Sequence, residues 1–329
     1  MSESLSPVVV ASKQDLEEFF SSEVRGEMET AFPKVRWIDP GETAVPFESA
    51  EVIVGGWALS NVPLDAVTDG PLRYVCLFTG SPTGKVTRQH VEAGMLLTNW
   101  GTAASPFVAE GGLLMILTAL RRSHEYSRLL LHEKEWRSLR NPAGTLHGKR
   151  VGVHGFGGIA RSLIELMRPF GVQMSVHAPG VPRELIEAVG ATPVGSLEEL
   201  AAGAEVFVEI EAARADNRRC VNHDVLSRLP IGATFVNFGR GHLVDESALV
   251  AVANERKLRV ALDVYDQEPL PDDSPLRSIE GVLLMPHMAG PPPEARRHLG
   301  RLAVDNVRRY AAGESPRFLI DADAFDRLT

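Results

Sequence analysis

Cysteine is scarce. Cys76 and Cys220 are the only two in 329 residues; they lie far apart, match no metal-ligand spacing and are expected to be buried free thiols, with no metal bound. Basic residues are outnumbered as well: 34 Lys and Arg face 43 Asp and Glu, a net charge of −9. That leaves no footprint for nucleic acid or for an anionic membrane surface. Long apolar runs are missing. The longest, "GGLLMILTAL" (Gly111–Leu120), is too short to span a bilayer and ends in Arg121-Arg122. The N-terminal "MSESLSPVVVASKQDLEEFF" has no basic segment leading into an apolar one, so no secretion signal is expected. Internal repeats and low-complexity linkers are absent too. The expectation is a cytoplasmic globular protein of about two domains, its 44% hydrophobic content supplying ample core.

What is present alternates. "PVVVAS", "EVIVGGW" and "RYVCLFTG" are β-rich runs bounded by turn residues, whereas "KQDLEEFFSSEVRGEMETAF" spaces Leu16, Phe19, Phe20, Val24 and Met28 at helical intervals. "HVEAGMLLTN" reads as a short helix leading into another strand. Strands alternating with helices imply a parallel sheet covered on both faces. A long apolar helix is expected over Ser105–Leu120, with Ser105 as N-cap and Pro106 at the first helical position. A second helix, "HEYSRLLLHEKEW", follows. Strand–turn–helix units then run to about Pro286, and the tail from Glu294 reads as an amphipathic helix with a short extended end.

"KRVGVHGFGGIARSL" is the first stretch to suggest chemistry. Gly155, Phe156, Gly157, Gly158, Ile159 and Ala160 fit G-x-G-x-x-G/A between a strand and a helix. The first glycine permits the tight turn, the second lets a pyrophosphate approach the backbone, and the small sixth residue allows close helix–strand packing. The helix N-terminus adds free N–H groups and the positive end of its dipole. Adenosylmethionine-binding methyltransferases carry similar turns. In the next strand, "VQMSVHAPG", Ala178 stands where a ribose-binding carboxylate is expected. Without that carboxylate a 2′-phosphate is not repelled, so NAD or NADP is expected, with Arg183 available to meet the phosphate.

Three further strands end in polar groups. "GATFVNFGRGHLVDESAL" ends in Arg240, with a helix expected from about Asp245; "RVALDVYDQEPLPDDSPL" ends in Asp263, Asp266 and Glu268; "VLLMPHMAGPP" presents His287. An arginine, an acid and a histidine at the carboxyl edge of one sheet stand where ligands bind in open α/β folds.

"VNFGRGHLVDESAL", "ALDVYDQEPLP" and "MPHMAG", in this order and spacing, resemble the three signature regions of the NAD(P)-dependent D-2-hydroxyacid dehydrogenase family. "TNWGTAASPFVAE" and "VDNVRRYAAGESP" match it more loosely. The resemblance implies two Rossmann- or flavodoxin-like α/β lobes, each a parallel sheet with helices on both faces, and an active site in the interlobe cleft. One lobe, binding substrate, would be discontinuous (1–101 and 292–329); the other, 102–291, would bind the dinucleotide. A homodimer is implied. Carried over by residue, Arg240 would pair with the substrate carboxylate through its fork of donors. His287 would protonate the carbonyl oxygen, and Glu268 would fix its tautomer and raise its pKa. Asp263, Phe238 and Gly239 would line the nicotinamide, and Gly80 and Ser81 would contact the substrate.

Three segments depart from the family pattern. In "TGSPTGKVT" (Thr79–Thr87) Gly80 is kept, but Pro82 has no N–H to donate, leaving Ser81, Thr83 or Lys85 to replace the usual carboxylate grip. In "VFVEIEAARADNRR", Glu209 and Glu211 are unfavourable beside a phosphate unless they point away. Ala178 is the third. The leading expectation is an oxidoreductase interconverting a small 2-oxo acid and its D-2-hydroxy acid, in the manner of a glyoxylate/hydroxypyruvate reductase. The alternatives are an NAD(H)-sensing, corepressor-like protein without turnover, and a formate- or phosphite-oxidising relative.

Overall fold

The computed structural model of the protein describes residues 5–134, 136, 143–214 and 216–325. The chain divides into two compact units, Met1–Ala104 with Pro291–Thr329, and Ser105–Gly290. The 3₁₀ turn Gly101–Ala104 goes with the first unit.

The first unit holds five parallel strands, β1 (Val8–Val10), β2 (Arg36–Ile38), β3 (Val52–Gly55), β4 (Tyr74–Leu77) and β5 (Leu96–Thr98), in the order β2-β1-β3-β4-β5. That is the flavodoxin-like winding. β1, β3 and β4 are buried along their whole length, as apolar runs covered on both faces must be. The helical spacing after β1 is realised as two helices, Lys13–Phe19 and Ser22–Ala31. Ser21 separates them by accepting the N–H of Val24 as an N-cap, and Phe20 turns into the core. The Pro293–Ala311 helix returns to this unit, and Gly300 lets it lie against the first helix: a Cβ there would overlap the Phe19 carbonyl. Of the two free thiols, Cys76 is buried as expected. Cys220, in the second unit, is only half-buried, and burial pushes its thiol up to about 12.

The second unit holds β6 (Arg150–His154), β7 (Gln173–His177), β8 (Thr192–Pro193), β9 (Val206–Glu209), β10 (Thr234–Asn237), β11 (Arg259–Leu262) and β12 (Leu283–Leu284). All are parallel, in the order β12-β11-β10-β9-β6-β7-β8. The winding reverses between β6 and β9, the place where such sheets open a ligand crevice at their carboxyl ends.

The Ser105–Arg121 helix packs on this sheet through Ala109, Gly112, Met115, Ile116, Ala119 and Leu120. Ser105 lies within the helix rather than capping it, because the preceding 3₁₀ turn runs straight into it. With that turn the segment Gly101–Arg121 is long and apolar enough to cross a membrane, which the run Gly111–Leu120 by itself is not; 44% of its most apolar stretch is buried inside the protein. Gly111 and Gly112 explain the close fit. A Cβ on Gly112 would strike the Phe238 ring, and one on Gly111 the Ala289 backbone. The next helix is shorter than predicted: Ser123–Arg128, continuing as a π-turn over Leu129–Glu133, with Glu135 outside the described residues.

Candidate active site

At the end of β6 the chain turns at Gly155 with φ +105°, and its N–H bonds the His177 carbonyl at 2.9 Å. A side chain there would meet the Glu211 backbone, so only glycine fits. A Cβ on Gly157 would point into open space, leaving its backbone approachable. Gly157 caps the Gly158–Met167 helix, whose first-turn N–H groups have no intrahelical acceptor. Phe156 is buried, under the Arg161 guanidinium, and Ala160 is fully packed. Ala178 follows β7 directly, half-buried against the core, and Arg183 begins an exposed short helix.

The two acids that looked hostile to a phosphate are both engaged. Glu209 is fully buried at the end of β9, where its Oε2 accepts from His154 Nδ1 at 2.7 Å and its Oε1 from the Glu211 N–H at 2.9 Å. Glu211 pairs with Arg214 at 2.7 Å. With its open glycine, its free helix end and its neighbouring carboxylates neutralised, the turn fits a dinucleotide pyrophosphate.

The next strand end is clamped by Asn237. Its Oδ1 accepts the Gly239 N–H at 3.0 Å and its Nδ2 donates to the Arg240 carbonyl at 3.1 Å. Gly239 lies against Ile210, where a Cβ would come within 2.7 Å of the Ile210 Cα. Arg240 donates to the Gly239 carbonyl at 2.7 Å; burial draws its guanidinium below the ordinary arginine value, and the Glu268 charge opposes the shift.

At the end of β11, Asp263 is buried, and both its oxygens are used. They accept the N–H groups of Met288 at 2.6 Å and Ala289 at 2.8 Å, while its carbonyl takes the His287 N–H at 2.9 Å. Asp263 thus anchors the segment that carries His287. His287 has φ +56°, and its Nδ1 donates to Glu268 Oε2 at 2.7 Å; the other Glu268 oxygen accepts the Tyr265 N–H at 3.0 Å. The side chain is 51% exposed, and Nδ1 is the ring nitrogen that Glu268 holds. Asp266, the third acid of that strand end, is bound to His242, Arg218 and Arg219. Burial alone would raise its carboxyl; those partners hold it below the usual range.

Gly155–Ile159, Ala178, Phe238, Gly239, Arg240, Asp263, Glu268 and His287 therefore all belong to the carboxyl edge of this one sheet. Gly80 and Ser81 belong to the other unit, on the loop after β4, and carry their assignment from the resemblance alone. In that loop Asn99 Nδ2 donates to the Gly80 carbonyl at 2.6 Å, and buried Lys85 curls back to donate to the Ser81 carbonyl at 3.1 Å. Asn237 and the His154–Glu209 pair escaped the sequence reading. An asparagine just before a glycine turn is a usable signal for such a clamp; the pair is not visible without the β6–β9 pairing. A cavity of about 310 Å³ lies at the opposite, amino-terminal edge, lined by Arg122, Glu125, Lys257 and Arg259. Arg122 and Lys257 stand there at helix C-termini, where cations offset the dipole.

A dinucleotide fold with a carboxylate-held imidazole beside an arginine defines the class of a nicotinamide-dependent oxidoreductase. Residues 113–289 match the family model of the D-isomer specific 2-hydroxyacid dehydrogenase, NAD binding domain. The chain is 33% identical over 262 residues to an (S)-sulfolactate dehydrogenase of Chromohalobacter salexigens, covering 77% of this chain and 75% of that one. It is 29% identical over 237 residues to a glyoxylate reductase of Aeropyrum pernix, covering 70% of each. A D-3-phosphoglycerate dehydrogenase of Methanocaldococcus jannaschii is 30% identical over 224 residues, 68% of this chain but only 42% of that relative's length. Among solved structures, an NADPH-dependent glyoxylate/hydroxypyruvate reductase from Sinorhizobium meliloti shares the fold, with a TM-score of 0.78, 24% identity and 99% coverage of each chain. The chain belongs to the D-isomer specific 2-hydroxyacid dehydrogenase family, whose members are NAD(P)-dependent enzymes. Its cofactor is NAD or NADP.

Proposed function

We propose that the protein reduces a small 2-oxo acid, of the glyoxylate or hydroxypyruvate kind, to the D-2-hydroxy acid, and catalyses the reverse. The observation that carries this reading is the 2.7 Å Glu268–His287 contact, with the ring half exposed and Arg240 within the field of Glu268. Gly155–Ile159 would hold the pyrophosphate, with Ala178 beside the adenosine ribose and Phe238, Gly239 and the Asp263-anchored segment near the nicotinamide. When bound, the nicotinamide supplies the hydride. Arg240 pairs with the substrate carboxylate through two parallel N–H donors and polarises the adjacent carbonyl. As the carbonyl oxygen gains negative charge, His287 gives it the Nε2 proton; in the reverse direction the neutral ring takes that proton back. Glu268 accepts from Nδ1 throughout, so the reactive nitrogen is always the outward one.

Use of glyoxylate-like acids is supported by the similarity to glyoxylate and glyoxylate/hydroxypyruvate reductases, and use of NADP by the absence of an acid at Ala178, with Arg183 nearby in sequence. A homodimer is supported by the exposed Leu130, Leu131 and Trp136 after the long helix, and a cytoplasmic setting by the two free thiols. The test follows NADPH and NADH oxidation against a panel of 2-oxo acids, with His287→Ala as control. Reduction by the parent and not by the variant is expected; equal rates would remove His287 from the mechanism. Tight cofactor binding with no acid turned over would favour the sensor alternative.

A further inference from the structure

The buried His154–Glu209 pair has no part in the proton transfer described above, yet it sits directly beneath the dinucleotide turn. His154 is the last residue of β6, next to Gly155, and Glu209 is the last of β9; they are 3% and 0% exposed. Glu209 also holds the Glu211 N–H, and the Glu211 backbone is the surface against which Gly155 turns. On the other side the His177 ring stacks on His154 with centroids 5.7 Å apart, and the His177 carbonyl accepts the Gly155 N–H. One ion pair therefore touches both walls of the turn.

We propose that His154 is a positioning residue for the dinucleotide, and that its protonation sets the affinity for the pyrophosphate. With the ring protonated, the pair is neutral overall. Loss of that proton leaves an uncompensated carboxylate in a low-dielectric site one residue from a turn that must accept two phosphate charges. Affinity then falls as pH rises, and by linkage the bound dinucleotide holds the proton more tightly. Other charged and titratable groups near the pair are His177 on β7, Glu211 and Arg214 beyond β9, and Cys220. Glu211 favours the protonated ring, Arg214 opposes it, and these two are themselves ion-paired. Burial disfavours the imidazolium, but Glu209 outweighs it, so the ring holds its proton above the ordinary histidine value.

The test uses ADP-ribose, which offers the pyrophosphate without the nicotinamide and so leaves His287 aside. Its Kd is measured by calorimetry between pH 6 and pH 9.5 on the whole protein. The parent should weaken at least fivefold across that range. Glu209→Gln should bind with less than twofold variation and bind more tightly than the parent at pH 9.5. A purely structural pair predicts the opposite, weaker binding by the variant at every pH, and that result would overturn the proposal, as would a flat profile in the parent. If Glu209→Gln folds poorly, the double variant His154→Phe/Glu209→Leu must show the same flat profile. Failure of ADP-ribose to bind the folded parent at all would overturn both this inference and the placing of the pyrophosphate at Gly155.

Discussion

Of the carboxylate–histidine pairs at the carboxyl edge of one sheet, His287–Glu268 and His154–Glu209 share the same 2.7 Å separation. Their surroundings differ. The side chains of the first are 51% and 37% exposed, those of the second 4% and 0%. An imidazole with one nitrogen anchored and the other open can exchange a proton with a ligand; one sealed among strands can only stabilise or destabilise what surrounds it. Geometry between partners is thus no guide to role by itself. Access to the second ring nitrogen is.

The largest effect should come from the open pair. His287→Ala is expected to lower kcat/KM about 10³-fold, the middle of the range for a positioned acid, with thermal unfolding unchanged; a stability loss would place the ring in the structural class instead. At the closed pair, Glu209→Leu strips the partner from a buried imidazolium and should cost about 3 kcal/mol in urea unfolding, whereas His154→Phe/Glu209→Leu together should recover most of it. Glu268→Gln, which keeps the shape but weakens the hold on Nδ1, should lower kcat about 10²-fold with little change in KM; an altered KM alone would assign Glu268 to binding. Gly112→Ala drives a methyl into Phe238 beneath the open edge and should destabilise by about 1–3 kcal/mol, read as a lower Tm.

The smallest effect is on pH. His154 binds its proton more readily folded than unfolded, because the Glu209 charge and hydrogen bond outweigh the cost of burial. Its contribution to stability is complete below the unfolded value of about 6.5 and is lost as pH rises through the higher folded value. The Tm difference between the parent and His154→Phe/Glu209→Leu should therefore shrink from pH 6 to pH 9; a difference that grows would reverse the assignment.

The glycine turn and the Arg240, Glu268 and His287 set were legible because each rests on a short local pattern: a strand, a turn whose backbone demands glycine, and a polar residue where the strand stops. Apolar runs at β1, β3 and β4 likewise announced strands covered on both faces. The break between the two helices after β1 is harder to read, because periodicity continues through Phe20 while the Ser21 cap interrupts the backbone, and a cap is a weaker signal than a run of apolar side chains.

By itself, then, the sequence determined the element types, the parallel winding and the identity of the chemical groups, since these follow from side-chain period and backbone sterics over a few residues. The tertiary structure alone decided which acids are neutralised, which histidine is open and where Asp263 spends its oxygens. Those depend on pairing residues 55 apart for His154 and Glu209, and 25 and 26 apart for Asp263 with Met288 and Ala289. Burial and charge compensation are properties of the packed neighbours, and no local stretch of chain contains them.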